Sequence, residues 1–254
     1  MLSLRGQMDL LLVFLAALLT AFATGLGALP FAFAGTGGAG SRRLALGNAA
    51  AAGLMLAATA MLAWEGAGIG PLSAALGAAG GLAFIKLSDT ILSRFRHLDL
   101  GALSGSDARR ALLIVGVMTL HSAAEGIGVG VAFGDGAPLG WFVTIAMAIH
   151  NIPEGLAISL VLVPRGVSWQ AAAGWSVFSS LPQPVLAVPA YLSVLWFEPL
   201  LPAGLGFAAG AMAWMALADM LPEATSQAPL WQVVSVLAVS VAGMLGLFAL
   251  LPDG

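Results

Sequence analysis

Apolar runs of about twenty residues, almost free of charge, recur along this chain from Met8 to Leu251 and decide what it can fold into. A helix needs about 20 residues to cross the roughly 30 Å hydrocarbon core of a bilayer. In lipid the backbone must satisfy its own hydrogen bonds, which leaves helices or a closed barrel, and the two-residue alternation of a barrel strand is absent. The fold class is therefore all-α, a polytopic membrane protein. Composition agrees: 60% of the 254 residues are apolar and 8% are charged, against about 25% charged in soluble domains.

The pattern predicts eight transmembrane helices: Met8 to Phe33, Leu44 to Trp64, Leu72 to Phe95, Ala108 to Phe133, Leu139 to Val163, Trp169 to Phe197, Leu200 to Leu221 and Trp231 to Leu251. Gly35 to Arg43 and Arg94 to Arg110 read as connections, and Glu65 to Pro71 as a short Gly/Pro turn. No connection is long enough to form a domain, so residues 1–254 are read as one transmembrane domain. Arg42, Arg43, Arg94, Arg96, Arg109, Arg110 and Arg165 all fall on one side, with only Arg5 opposite. The positive-inside bias then puts both termini outside the cytoplasm. Arg5, the apolar stretch and Ala21-Phe22-Ala23 imitate a cleaved signal peptide, but cleavage would leave Arg42 and Arg43 at an external terminus, so span one is read as retained.

No cysteine is present, which excludes disulfides and thiolate metal sites. The net charge of -3 offers no basic face to nucleic acid, and chain used mostly as spans leaves no room for a soluble ATPase.

Function should show where ionisable groups sit deep in a span, since a charge at a helix centre costs about 2.5–3.5 kcal/mol on insertion scales. Span four carries His121-Ser122-Ala123-Ala124-Glu125-Gly126 at its middle, and span five carries His150-Asn151-Ile152-Pro153-Glu154-Gly155. In each copy His and Glu are four residues apart, so both side chains reach a common point beside the helix. The connection around Gly134 to Pro138 is short, which makes the two helices antiparallel neighbours. Two imidazoles and two carboxylates suit zinc, with iron, manganese, cobalt, nickel or cadmium admitted by the same donors. The carboxylates alone would repel in low dielectric, and a dication removes that repulsion. Pro153 should kink span five at the site, and Leu181-Pro182-Gln183-Pro184 interrupts span six at similar depth. Broken helices at matching depth are a feature of transporters.

The paired His-x-x-x-Glu-Gly segments, the second reading His-Asn-Ile-Pro-Glu-Gly, resemble those of the ZIP family of divalent metal transporters, bacterial type. Gly53-Leu54-Met55-Leu56 and Leu221-Pro222-Glu223-Ala224 extend the likeness along the chain. The resemblance implies a multi-pass protein of the plasma (inner) membrane, with a 3+2+3 helix arrangement. It also implies alternating access, in which divalent metal passes from outside to cytoplasm. Carried over residue by residue, it implies a site of His121, Glu125, His150 and Glu154 with Met55 as a nearby thioether. Positions that hold a second ion in bacterial relatives read Ser122, Asn151 and Gln183 here, a hydroxyl and two neutral amides, so the second site is expected to be weak or empty. The implied exit path runs past Asp89, Asp219 and Glu223.

Blander readings stand beside these. Met55 can be packing filler, Gln183 can satisfy carbonyls freed by its flanking prolines, and Lys86 with Asp89 can be a structural ion pair. Gly77 to Gly81, Gly126 to Gly130 and Gly206 to Gly210 match the small-residue spacing of close-packed helices, but 33 glycines make such spacings common and they do not establish a homodimer. An intramembrane metal-dependent hydrolase lacks its His-Glu-x-x-His order and a spare midplane base here. A metal-free proton-linked carrier leaves the paired histidines unexplained. The expectation is a transporter, not an enzyme, with a divalent metal as substrate, the lipid bilayer as surroundings and no resident cofactor.

Overall fold

Helices follow the apolar runs because each can close its own backbone hydrogen bonds in lipid. The structure is a computed structural model and describes residues 4–34, 41–94, 106–163 and 166–250. Among the described residues there is no β-strand. In chain order the helices are α1 (Leu4–Leu26), α2 (Leu29–Ala34), α3 (Ser41–Ile69), α4 (Pro71–Arg94), α5 (Ser106–Asp135), α6 (Ala137–Leu162), α7 (Trp169–Ser180), α8 (Pro182–Trp196), α9 (Leu201–Trp214), α10 (Leu221–Gln227) and α11 (Leu230–Leu250). Among the described residues, seven stretches are long and apolar enough to cross a bilayer. The remaining expected span is α5, whose 30 residues reach about 45 Å at 1.5 Å each.

Proline sets the breaks. Pro182 and Pro184 separate α7 from α8, as expected. Span one, read as continuous, is broken between Leu26 and Leu29: Pro30 supplies no N–H to the carbonyl of Leu26, and its ring crowds that carbonyl. The turn read over Glu65 to Pro71 is instead helical to Ile69, with only Gly70 outside the helices. Isolated glycines such as Gly66 and Gly68 weaken a helix by about 1 kcal/mol each without ending it, whereas Pro71 does end it. Span seven runs on to Gln227 and contains a π-helical turn, Met215–Met220, directly before Pro222. The expected interruption of span five is not a break, since α6 continues through Pro153.

Two sets of helices result. One is α1, α5, α6, α7 and α8; the other is α3, α4, α9, α10 and α11, and they meet chiefly along α3 with α6 and α5 with α9. The glycine stripes serve packing inside the chain. A Cβ on Gly77 or Gly81 would overlap the backbone of Ala203 or Phe207 on α9, and one on Gly206 or Gly210 would overlap Ala74 or Ala78 on α4. Close backbone approach of this kind is how helices associate in lipid, where burial gives no driving force.

Candidate metal centre

Helices α5 and α6 run side by side and bring Glu125, His150 and Glu154 together, all buried, with one ligating atom from each within 4.8 Å of the others. His150 Nε2 lies 3.2 Å from Glu125 Oε1. Donors about 2.1 Å from a tetrahedral zinc stand about 3.4 Å apart, so this pair already has the spacing and Glu154, within 4.8 Å, needs to close by about 1.4 Å at most. Glu125 Oε1, His150 Nδ1 and both carboxylate oxygens of Glu154 have no hydrogen-bond partner. Buried polar atoms are almost always partnered, and a divalent cation between these three side chains would satisfy the carboxylate oxygens at once.

The glycine that ends each motif has a visible purpose. A Cβ on Gly126 would stand 2.5 Å from the carbonyl oxygen of Gln183, and one on Gly155 would overlap the carbonyl of Thr24. Hydrogen at these positions, each next in sequence to a glutamate, lets α8 and α1 approach closely there. Gln183 Nε2 consequently donates to Glu125 Oε2 at 2.6 Å. Gln183 Oε1 accepts from Thr20 Oγ1 and from Asn151 Nδ2, the latter at 3.1 Å. Asn151 Nδ2 also donates to the Thr20 carbonyl at 2.7 Å. The side chain of Gln183 is thus engaged with the site, not with carbonyls freed by its neighbouring prolines. Ser122 Oγ and Asn151 Oδ1, both buried, have no hydrogen-bond partner.

His121 is not one of the three grouped residues, although it lines the same cavity. Its Nε2 lies 3.5 Å from Asp219 Oδ2 on the π-helical turn. The π turn carries both Met215 and Asp219, and such widenings are frequent at functional sites. A cavity of about 90 Å³ joins the parts: Glu125, His150 and Glu154 line it together with His121, Asp219, Glu223, Asn48, Met118, Met215 and Met220. At about 30 Å³ of liquid volume per water, that space suits an ion keeping part of its hydration shell. Asn48 and Met118 lie in the halves of α3 and α5 that follow arginine-bearing connections, and Asp219 and Glu223 lie toward the end of span seven, where α10 packs on α3 and Gln232 just beyond it accepts from Arg42, so the cavity reaches from the cluster toward that side.

Asp89 is on α4, but its side chain lies outside the described residues. Lys86 sits with Nζ 5.9 Å from the centre of the Trp214 ring. Met55 is fully buried in the hydrophobic core and is not among the residues lining the cavity, where Met118, Met215 and Met220 are the thioethers. Asn48, these three methionines and Thr20 are site neighbours that the motifs alone do not reveal. A signal exists for Thr20: Thr20 and Thr24 are four apart on an otherwise apolar helix, which marks one polar stripe facing inward.

Comparison with known proteins agrees with this geometry. The family described as ZIP Zinc transporter matches residues 97–251. A putative zinc transporter of Arabidopsis thaliana, At3g08650, is 46% identical over 227 residues, which is 88% of this chain and 36% of that protein. The zinc transporter GufA of Myxococcus xanthus is 35% identical over 120 residues, 47% of each chain. Human zinc transporter ZIP11 is 37% identical over 133 residues, 47% of this chain and 37% of its own. The matched regions thus span about a third to a half of these curated relatives. On the family match, and with the paired motifs meeting at one buried site, the chain belongs to the ZIP zinc transporter family.

Proposed function

We propose that this chain carries a divalent transition metal across the plasma (inner) membrane into the cytoplasm by alternating access. Zinc comes first, because the relatives are named zinc transporters; cadmium, iron, manganese or cobalt are admitted by the same donors. The observation that carries the reading is the buried group of Glu125, His150 and Glu154, whose ligating atoms lie within 4.8 Å and in which both carboxylate oxygens of Glu154 have no hydrogen-bond partner. Leaving such groups unpaired costs about 1–3 kcal/mol each and more when charged, which a bound dication removes. One dication on two carboxylates is also neutral overall, the least costly form to hold in low dielectric.

Glu125, His150 and Glu154 form the core of the site. His121 completes it in part of the cycle and pairs with Asp219 in the conformation described, and Met55 is retained as an outer thioether. Asp219 and Glu223, with Asp89, form the path on the arginine-bearing side, which the charge bias makes cytoplasmic with both termini outside. The second site at Ser122, Asn151 and Gln183 is weak for want of charge. Gln183→Glu, and more so with Asn151→Asp, is expected to add a second bound ion. No stripe singled out in the sequence is left over for a homodimer, since each packs inside the chain, so an assembly would use other surfaces.

The test is zinc titration of the purified chain in detergent, read by calorimetry and thermal stabilisation. One tight ion per chain, lost in Glu154→Ala with the helical spectrum unchanged, supports the site; equal binding by Glu154→Ala overturns it.

A further inference from the structure

The geometry points to Gln183 as a positioning residue that holds Glu125 for the ion at Glu125, His150 and Glu154 and is not itself a ligand of that ion. The inference rests on the site proposed above and deepens it. An amide ligates a metal only through its oxygen, because the amide nitrogen has no free lone pair. In Gln183 that oxygen is taken by two donors, Thr20 Oγ1 and Asn151 Nδ2. Its nitrogen faces Glu125 Oε2 at 2.6 Å, a charge-assisted distance. Flipping the amide to offer oxygen to an ion would set that oxygen against a carboxylate and the NH₂ against the Asn151 amide nitrogen, whose orientation is fixed by its bond to the Thr20 carbonyl. The bonds to Glu125 and Asn151 would be lost together, while the Thr20 hydroxyl could turn its proton to the Ala17 carbonyl, in a place where Asn151 and Gln183 are 0% exposed and Glu125 is 1% exposed.

The consequence falls on Glu125. With Oε2 held by the amide, Oε1 remains facing His150 Nε2, so Glu125 offers one oxygen to the ion and the other to Gln183. Partners of this outer kind fix ligand orientation, and their loss typically costs 10- to 100-fold in metal affinity. The anchor itself is held from α1 and α6, through Thr20 and Asn151, so four helices of one set (α1, α5, α6, α8) meet on a single carboxylate. Thr20 is therefore part of the metal site's support without approaching the ion, and no spacing within the sequence connects it to Glu125.

Cobalt(II) titration of the full chain tests this, because visible ligand-field bands report the number and type of donors while the titration reports affinity. In Gln183→Leu the expected result is affinity lower by about tenfold with band positions and intensity at saturation unchanged. Thr20→Val, which keeps side-chain shape and removes only the hydroxyl, is expected to lose about threefold with the same bands, and it serves if Gln183→Leu does not fold. A shifted or intensified band at saturation in Gln183→Leu makes Gln183 a ligand and overturns the positioning role. Unchanged affinity in both variants overturns it as well. Absence of cobalt bands in the native protein overturns the metal site on which it rests, and so separates the two failures.

Discussion

Gly126→Ala adds one carbon, and the structure gives its consequence. The new Cβ would stand 2.5 Å from the carbonyl oxygen and 2.6 Å from the Cα of Gln183. Carbon contacts settle near 3.5 Å, so the first turn of α8 must retreat by about 0.9 Å. The bond from Gln183 Nε2 to Glu125 Oε2, now 2.6 Å, then lengthens to about 3.5 Å and is no longer a hydrogen bond. Overpacking costs about 1–3 kcal/mol, and loss of a hydrogen bond to a charged group about 1.5–3 kcal/mol. The expected outcome is a lower melting temperature together with zinc affinity reduced by about tenfold or more. Calorimetric zinc titration and thermal unfolding in one detergent measure both. Gly174→Ala is the control: α7 has nothing within 4 Å of a Cβ at Gly174, and alanine there should be neutral or stabilising by about 1 kcal/mol. Native zinc affinity and melting temperature in Gly126→Ala would refute the close-approach argument.

His121→Ala should leave the chain folded and abolish transport. If His121 joins the site for only part of the cycle, equilibrium zinc affinity should fall by less than in Glu154→Ala, measured by parallel titration and flux. Asp219→Asn keeps size and removes the charge facing His121 at 3.5 Å. It should slow flux severalfold while zinc affinity in detergent changes by less than about threefold, since Asp219 is outside the three-residue cluster. Equal losses of affinity and flux would make Asp219 a primary ligand instead.

Much of this arrangement is legible in the amino-acid sequence. Apolar runs give the spans, because a lipid-embedded backbone permits little else, and His121 to Glu125 with His150 to Glu154 give the ligand chemistry, because i,i+4 spacing is local. What is not legible depends on which helices touch. Thr20 and Gln183 are 163 positions apart, and no periodicity joins them. Gly126 and Gly155 look like any of 33 glycines until α8 and α1 are laid against them. The contact of His121 with Asp219 joins residues 98 positions apart, and the widened turn that carries Asp219 has only Pro222 as its local sign. Pro30 marks the break in span one, a cue as plain as Pro182 but hidden by the apolar residues on both sides.

Metal influx into proteoliposomes loaded with a metal-sensitive dye tests the central claim most directly, comparing the native chain with Glu154→Ala across zinc, cadmium, iron, manganese and magnesium. The account gives zinc and related transition-metal influx in the native chain, little magnesium influx, and none of either in Glu154→Ala. A folded native chain that binds metal but passes none, or a Glu154→Ala chain that passes zinc at the native rate, would contradict it.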